Sequence, residues 1–122
     1  MSEWTTQELE LIGSTAEIGI APARADRTRR PFTTIWVVQV GDDLYVRSYR
    51  GPAGAWYRAA QRSREGRIRA GRVERDVTLA DANGADRDTI DEAYRAKYGH
   101  SSYVEAMVSP EAAATTQRLV PR

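Results

Sequence analysis

A hairpin pattern in the first half of the chain constrains its fold more than any other feature of the sequence. Residues 33–40 are almost all β-branched or aromatic, Gly41-Asp42-Asp43 is typical of a tight turn, and residues 44–49 alternate between two faces. The first of these strands is apolar on both faces, so we expect it to lie centrally in a sheet. Strands that arrive as hairpins, without a helix between them, favour an antiparallel sheet.

Further strand and loop patterns follow the same logic. A second hairpin is predicted over residues 67–79, with its turn at a Gly-Arg pair. Single strands are predicted over 16–21, where isoleucines alternate with small or polar residues, and over 112–120. Asn83-Gly84 marks a loop, and residues 100–110 fit neither a helix nor a strand pattern. The sequence therefore predicts six strands.

Helix start and stop signals complete the order of elements. Thr5 opens a capping box for a short first helix, and Gly13 is placed to end it. Helices are also predicted over 55–64 and 87–98, the latter with Asp86 as its N-cap. The order α-β-β-β-α-β-β-α-β in 122 residues predicts an α+β fold: a small, mostly antiparallel β-barrel with two to three flanking helices, forming one domain over residues 1–122.

Composition excludes several classes of function. The chain has no cysteine and a single histidine, His100, so we expect no disulfide framework, no thiol redox centre, no iron–sulfur cluster and no metal cofactor. No apolar run reaches the roughly 20 residues of a membrane span, and the N-terminus lacks the pattern of a secretory signal. We therefore expect a cytoplasmic protein that does not bind a membrane.

Charge is distributed unevenly along the chain. Residues 24–75 contain 13 basic and 5 acidic side chains, a net of +8, whereas the remainder has a net of −7. Of the 18 basic residues 17 are arginine, and only Lys97 is lysine. The arginine excess has two interpretations: genomic base composition, or guanidinium groups that bind phosphate or carboxylate. A nucleic-acid partner is not expected, because the overall charge is only +1 and no nucleic-acid-binding motif is present.

The stretch 47–58 is the strongest candidate site. A strand ends there, a glycine-containing loop follows and a helix begins, and such a helix start attracts anions through its free N–H groups and its dipole. Its glycines allow the backbone to approach a ligand closely. The alternative is an ordinary strand–turn–helix connection with solvated arginines. The candidate binding residues are Arg47, Ser48, Tyr49, Arg50, Gly51, Trp56, Tyr57 and Arg58.

Other polar groups leave alternatives open. The basic loop from Arg24 to Arg30 is either a solvated loop or a second part of the same site. His100 lies next to two serines, but adjacent residues rarely face each other as a catalytic triad requires. Tyr98 and His100 are either core and rim residues or side chains that line a pocket and supply a proton. The sequence assigns no catalytic residue.

Several motifs together resemble a small protein family of uncharacterised function, and the resemblance covers nearly the whole chain. They are residues 33–38, Gly41-Asp42, residues 44–48, Gly51 with residues 55–58, residues 67–71, residues 90–99 and residues 118–121.

The same layout is more distantly similar to the FMN-binding split barrels, including the pyridoxamine-phosphate-oxidase-like and deazaflavin-dependent nitroreductase groups. In the deazaflavin group, a Ser-(basic)-Gly loop that leads to a Pro-x-Trp-Tyr helix start holds the coenzyme phosphate, and Ser48, Arg50, Gly51, Trp56 and Tyr57 match that pattern. Residues 25–31 differ from the glycine-rich turn that precedes it in that group.

The resemblance implies a split barrel, a homodimer, and an oxidoreductase that binds FMN or a deazaflavin coenzyme and acts on a small molecule. The alternative is a non-redox protein of the same fold that binds a small molecule carrying a phosphate or carboxylate, or a flavin-independent enzyme of that fold.

Overall fold

The computed structural model describes residues 3–24, 26, 28, 30–82 and 86–122. Within these residues, seven strands form one antiparallel sheet in the order β2-β1-β5-β6-β7-β4-β3. The strands are β1 (Ile18–Pro22), β2 (Thr33–Ile35), β3 (Val38–Val40), β4 (Asp43–Val46), β5 (Glu65–Ala70), β6 (Val73–Asp81) and β7 (Gln117–Pro121). The helices are α1 (Thr6–Ser14), α2 (Ala55–Ser63), α3 (Arg87–Tyr98), α4 (Val104–Met107) and α5 (Pro110–Ala113), with a 3₁₀ turn at Gly51–Ala53. The predicted loop at Asn83-Gly84 lies outside the described residues.

The connection between β2 and β3 requires the sheet to curl. These strands form its two opposite edges, yet only Trp36 and Val37 separate them in the chain. Three Cα–Cα steps of about 3.8 Å span at most about 11 Å, so the two edges must lie close together. A flat sheet of seven strands would hold them several times farther apart, at roughly 4.8 Å per strand. The chain is an α+β split barrel, which confirms the predicted fold class.

The prediction of one central strand over residues 33–40 was wrong. The segment forms two short edge strands, which pair with β1 and β4 respectively. It is apolar on both faces because Ile35 and Val37 point into the barrel, whereas Trp36, Val38 and Val40 pack in a second cluster beneath α3. Burial on both faces therefore reflects a covering helix rather than a central position.

The barrel interior contains the main core. Side chains from every strand except β3 meet there. They include Ile20, Leu44, Val77 and Leu79, each with no exposed surface. Both hairpin turns are confirmed, and Gly41 and Gly71 adopt positive φ angles of 61° and 58° there.

Helix α1 closes one side of the barrel. Its predicted capping box is present, because Thr5 Oγ1 accepts from the Glu8 N–H and Glu8 Oε1 accepts from the Thr5 N–H. The indole N–H of Trp4 donates to the Leu119 carbonyl at 2.9 Å. Gly13 does not end the helix as predicted, since α1 continues to Ser14.

Helix α3 packs on the outer face and holds the β2–β3 connection in place. Its predicted cap is confirmed, with Asp86 accepting from the Thr89 N–H. The Tyr98 hydroxyl accepts from the Val37 N–H at 3.3 Å and donates to the Ala16 carbonyl at 2.7 Å. Both polar backbone groups of Val37 are therefore bound by α3, because its carbonyl accepts from Lys97 Nζ at 2.7 Å.

The boundaries near the C-terminus differ from the prediction. Residues 100–110 contain the short helix α4, and the strand predicted over 112–120 begins only at Gln117. Ser109 caps α5, whose first residue is Pro110, a combination that starts a helix rather than a strand.

The strand predicted over 44–49, in the first half of the chain, ends early, at Val46. The two or three predicted helices correspond to α1, α2 and α3.

Candidate functional site

A cavity of about 440 Å³ lies beside the start of α2. It is bounded by the β2 edge, the chain that follows β4, the first turn of α2 and the region around α4. Its lining residues are Glu17, Thr33, Thr34, Ile35, Trp36, Arg47, Ser48, Tyr49, Arg50, Gly54, Ala55, Trp56, Tyr103 and Met107. The turn that launches α2 thus borders a cavity large enough for a cofactor-sized ligand.

The start of α2 presents backbone donors without a side-chain cap. Gly54 is the N-cap residue and has no side chain to accept from the first-turn N–H groups, which have no side-chain cap among the described residues. A Cβ added at Gly54 would lie 2.2 Å from Ser48 Oγ, so a larger residue at this close approach would have to displace the Ser48 hydroxyl. Gly51, with φ of 67°, allows the preceding turn and donates its N–H to the Ser48 carbonyl at 3.0 Å. The local sequence therefore builds an anion-attracting helix terminus.

Arg50 is the accessible cation of this cavity. Its side chain is exposed and lines the cavity next to the α2 terminus. Among the described residues no carboxylate lies within ion-pair distance of its guanidinium. Its charge is therefore available to a ligand.

Arg47 has a different role from the one its sequence position suggests. Its side chain is completely buried, and Nη1 contacts Asp91 Oδ1 at 2.5 Å and the Met107 carbonyl at 3.0 Å. Nε donates to Thr116 Oγ1 at 3.0 Å. The prediction treated Arg47 as a cation free to neutralise a ligand, whereas the structure shows that Asp91 already neutralises it. Arg47 therefore supports the wall of the cavity by joining β4 to α3, α4 and the chain before β7.

Aromatic side chains form much of the remaining wall. Trp56, nearly buried, and Trp36, half-buried, both line the cavity. The Trp36 ring stacks on Tyr98 with centroids 3.9 Å apart and planes 1° from parallel, which fixes its orientation. Tyr49 and Tyr103 are more exposed, at 52% and 59%, and make an edge-to-face contact with their ring centroids 5.7 Å apart. The cavity thus has indoles in its wall and two tyrosines at its rim.

Five of the eight predicted binding residues line the cavity. The other three do not: Gly51 lies in the turn behind it, Tyr57 packs on the barrel core and bonds to Gln61, and Arg58 is exposed elsewhere on α2. Sequence reasoning missed Glu17, the segment 33–36, Tyr103 and Met107. Of these, only the segment 33–36 has a local pattern that could have indicated a cavity wall, namely a threonine pair beside an apolar run. We had interpreted the segment as part of a central strand, which would not border a cavity.

The remaining polar candidates lie outside the cavity. Neither Tyr98 nor His100 lines it, and the Tyr98 hydroxyl is engaged by backbone groups, so the pocket-lining alternative for these residues is not supported. Arg24 and Arg30 line a separate cavity of about 500 Å³ with Phe32 and Arg69. The basic loop therefore does not contribute these two arginines to the first cavity, and Arg27 and Arg29 lie outside the described residues.

Neither a metal site nor a membrane-spanning helix is found in the described part of the chain. Within it, no group of three His, Asp or Glu side chains is arranged to hold a metal ion. No helix among those residues is long and apolar enough to cross a membrane.

The fold and the cavity together define the class of the protein, a split barrel with a ligand-sized cavity at its β2 edge. The chain belongs to the family described as "Uncharacterized protein conserved in bacteria (DUF2255)", whose model matches residues 8–119. The resemblance to a family of uncharacterised function is thereby confirmed. No functionally curated protein is significantly similar to the chain in sequence.

Solved structures of similar fold come from several bacteria. A "Putative Pyridoxamine 5'-phosphate oxidase" from Listeria innocua is similar with a TM-score of 0.62 and 11% identity, covering 95% of this chain and 91% of that one. A NimC/NimA family protein from Clostridium acetobutylicum has a TM-score of 0.59 and 13% identity over 94% and 78% of the two chains. A FAD-binding protein from Mesorhizobium loti has a TM-score of 0.59 and 14% identity over 97% and 88%. These likenesses show the shared fold.

Proposed function

We propose that this protein binds FMN or a deazaflavin coenzyme in the cavity beside α2 and acts as an oxidoreductase on a small molecule. The observation that carries the proposal is the position of an exposed cation, Arg50, beside a helix terminus whose N-cap is glycine, at a cavity lined by two indoles. The shared fold supports it, since one structure of that fold is described as "a fad-binding protein" and another as a "Putative Pyridoxamine 5'-phosphate oxidase".

The phosphate end of the coenzyme fits the start of α2. A phosphate group offers several acceptor oxygens, and the first-turn N–H groups of α2 together with the Arg50 guanidinium provide several donors. Arg47 is a poor alternative, because it is buried and the Asp91 carboxylate beside it would repel a second anion. We therefore assign the phosphate to Arg50 and the first-turn N–H groups of residues 55–57.

The ring end of the coenzyme fits the aromatic wall. A flat conjugated ring packs well on an indole, and Trp36 is held in one orientation by its stack on Tyr98. The volume of about 440 Å³ lies within the usual range of about 300–1,000 Å³ for small-molecule sites. Tyr49 and Tyr103 at the rim would limit the access of water to the bound ring.

Flavin and deazaflavin coenzymes, when bound, supply the transfer of hydride or electrons themselves. The residues of this chain would bind the phosphate, orient the ring and leave one ring face for the substrate. No side chain of the cavity is assigned a catalytic role in this proposal.

Titration with coenzymes that differ only in the phosphate tests the proposal. Wild-type protein should bind FMN more tightly than riboflavin, as measured by quenching of flavin fluorescence. Arg50→Ala should weaken FMN binding by about 10- to 100-fold, since a hydrogen bond to a charged group contributes about 1.5–3 kcal/mol, and should leave riboflavin binding nearly unchanged. Arg72→Ala is a matched control, because Arg72 is an exposed arginine in the β5–β6 turn, away from the cavity. A parallel titration uses a deazaflavin coenzyme.

The proposal is overturned if neither coenzyme binds or raises the unfolding temperature at high concentration. A ligand that binds only the native state at 100 times its Kd stabilises it by about 2.7 kcal/mol, which is readily detected. That result would favour the alternative, a non-redox protein or flavin-independent enzyme of the same fold that binds another small molecule with a phosphate or carboxylate.

The homodimer remains a proposal as well. Light scattering after size exclusion tests it directly.

A further inference from the structure

One charged side chain of the cavity beside α2 has no role in the coenzyme site. Arg47 adds no net charge, because Asp91 neutralises it, and Arg50 is assigned to the phosphate. Among the described residues that line the cavity, this leaves Glu17, which is exposed. No described cation lies within ion-pair distance of its carboxylate. The negative charge of Glu17 is therefore available to a ligand.

Glu17 lies beside the wall assigned to the coenzyme ring. The register of the β1–β2 pair brings Glu17, just before β1, and Trp36, just after β2, to the same end of the ladder. Burial raises the pKa of the Tyr98 hydroxyl to about 12, and the charge of Glu17 acts in the same direction. The carboxylate is thus within electrostatic reach of the ring that stacks on Trp36. Glu17 marks the ring end of the cavity, and Arg50 marks its phosphate end.

The rest of the lining suits an organic cation. Four aromatic side chains contribute to it: Trp36, Tyr49, Trp56 and Tyr103. The face of a tyrosine or tryptophan ring attracts a cation, and a nearby carboxylate attracts it further. A metal ion is poorly matched, because no second carboxylate lines the described part of the cavity beside Glu17. Charge and aromatic surface together therefore favour a small organic cation as the second ligand of this cavity.

We propose that the substrate carries a positively charged nitrogen, as a protonated amine or a quaternary ammonium group, and that the Glu17 carboxylate binds this group beside the coenzyme ring. The inference rests on the proposed function, because the phosphate takes Arg50 and leaves Glu17 for the substrate. Once the phosphate is bound, its negative charge offsets that of Arg50, so Arg50 no longer repels a cation in the cavity. Glu17 selects the substrate by charge and takes no part in the transfer of hydride.

Pairs of probes that differ mainly in charge test the inference. Choline and its neutral isostere, in which a quaternary carbon replaces the nitrogen, form one pair, and benzylammonium and benzyl alcohol form another. The amide chemical shifts of Glu17 and Trp36 measure their binding to the free protein and to the protein saturated with FMN. In both forms the cations should bind about 3- to 30-fold more tightly than their neutral partners, as expected for an ion pair with cation–π contacts. Added salt should reduce this preference.

A variant that removes only the charge completes the test. Glu17→Gln keeps the size of the side chain, so it should abolish the preference for the cations and leave binding of the neutral probes nearly unchanged. Glu17→Asp should retain part of the preference. Glu10→Gln is the matched control, because Glu10 is an exposed glutamate of α1 that does not line the cavity.

The outcomes separate this inference from the coenzyme proposal. Equal binding of charged and neutral probes, or a preference that survives in Glu17→Gln, overturns the inference. Competition between choline and FMN also overturns it, because the cation would then occupy the position of the coenzyme. Failure of FMN to bind overturns the coenzyme proposal instead, and a preference for cations that depends on Glu17 in the free protein would still support the cation site.

Discussion

Replacement of Asp91 by alanine should destabilise the protein strongly. Asp91 Oδ1 lies 2.5 Å from Arg47 Nη1, and the Arg47 side chain has no exposed surface. In Asp91→Ala the guanidinium would keep its bonds to Thr116 and the Met107 carbonyl but would lose the charge that neutralises it. Breaking one side of a buried ion pair costs about 3–5 kcal/mol, far more than an exposed pair, and we expect a loss in that range.

Urea unfolding followed by circular dichroism measures this loss of stability. With an unfolding entropy of about 2.1 cal/mol/K per residue, 3–5 kcal/mol corresponds to a fall in Tm of roughly 12–20 °C for this chain. The double variant Arg47→Met/Asp91→Leu is the informative partner, because it removes both charges and retains much of the buried volume. It should lie within about 2 kcal/mol of wild type.

Two outcomes would refute the reasoning. A loss below 1 kcal/mol for Asp91→Ala would mean that Arg47 is solvated or repaired by another group, contrary to its burial. A double variant less stable than Asp91→Ala would mean that the pair stabilises the fold beyond mutual neutralisation. Arg87→Ala serves as a control, since its ion pair with Asp91 is longer, at 3.5 Å, and half of the Arg87 side chain is exposed.

Three further predictions concern the cavity and its supports. Gly54→Ala should lower the free energy of unfolding by about 1–3 kcal/mol in urea titrations, because its Cβ would meet Ser48 Oγ; an unchanged value would contradict the close approach. Tyr98→Phe should lower the free energy of unfolding by about 1–3 kcal/mol, since the Val37 N–H and the Ala16 carbonyl lose a partner. An unchanged free energy of unfolding would show that these two hydrogen bonds do not stabilise the fold. Because the pKa of Lys97 is lowered to about 8, the unfolded state binds more protons above that pH, so stability should rise more steeply from pH 8 to 9.5 in wild type than in Lys97→Gln. Parallel profiles for the two proteins would count against the lowered pKa.

Local signals in the sequence predicted those elements that depend on neighbouring residues. The Thr5 capping box, the Asp86 cap and the glycine turns at 41 and 71 each involve groups a few residues apart, and all appear in the structure. The fold class followed from the order of the hairpins. The path of residues 33–40 could not be predicted, because the jump from one sheet edge to the other depends on closure of the barrel and on α3, both remote in sequence.

The candidate site was predicted in part for the same reason. The turn before α2 was found because helix termini and glycine loops have local signatures, and the structure places a cavity there. The burial of Arg47 was not foreseen, since Asp91 is 44 residues away and its pairing arises only when α3 packs on the end of β4. Glu17 and Tyr103 likewise reach the cavity through tertiary packing.

The most direct test of the central claim is a map of backbone amide chemical shifts during titration with FMN and, separately, with riboflavin. If the start of α2 binds the phosphate, the shifts that FMN causes and riboflavin does not should be largest at residues 50 and 54–57. Riboflavin and FMN should both shift residues around Trp36 and Trp56. The claim would be contradicted if the phosphate-dependent shifts clustered around Arg24 and Arg30, or if residues 54–57 did not respond.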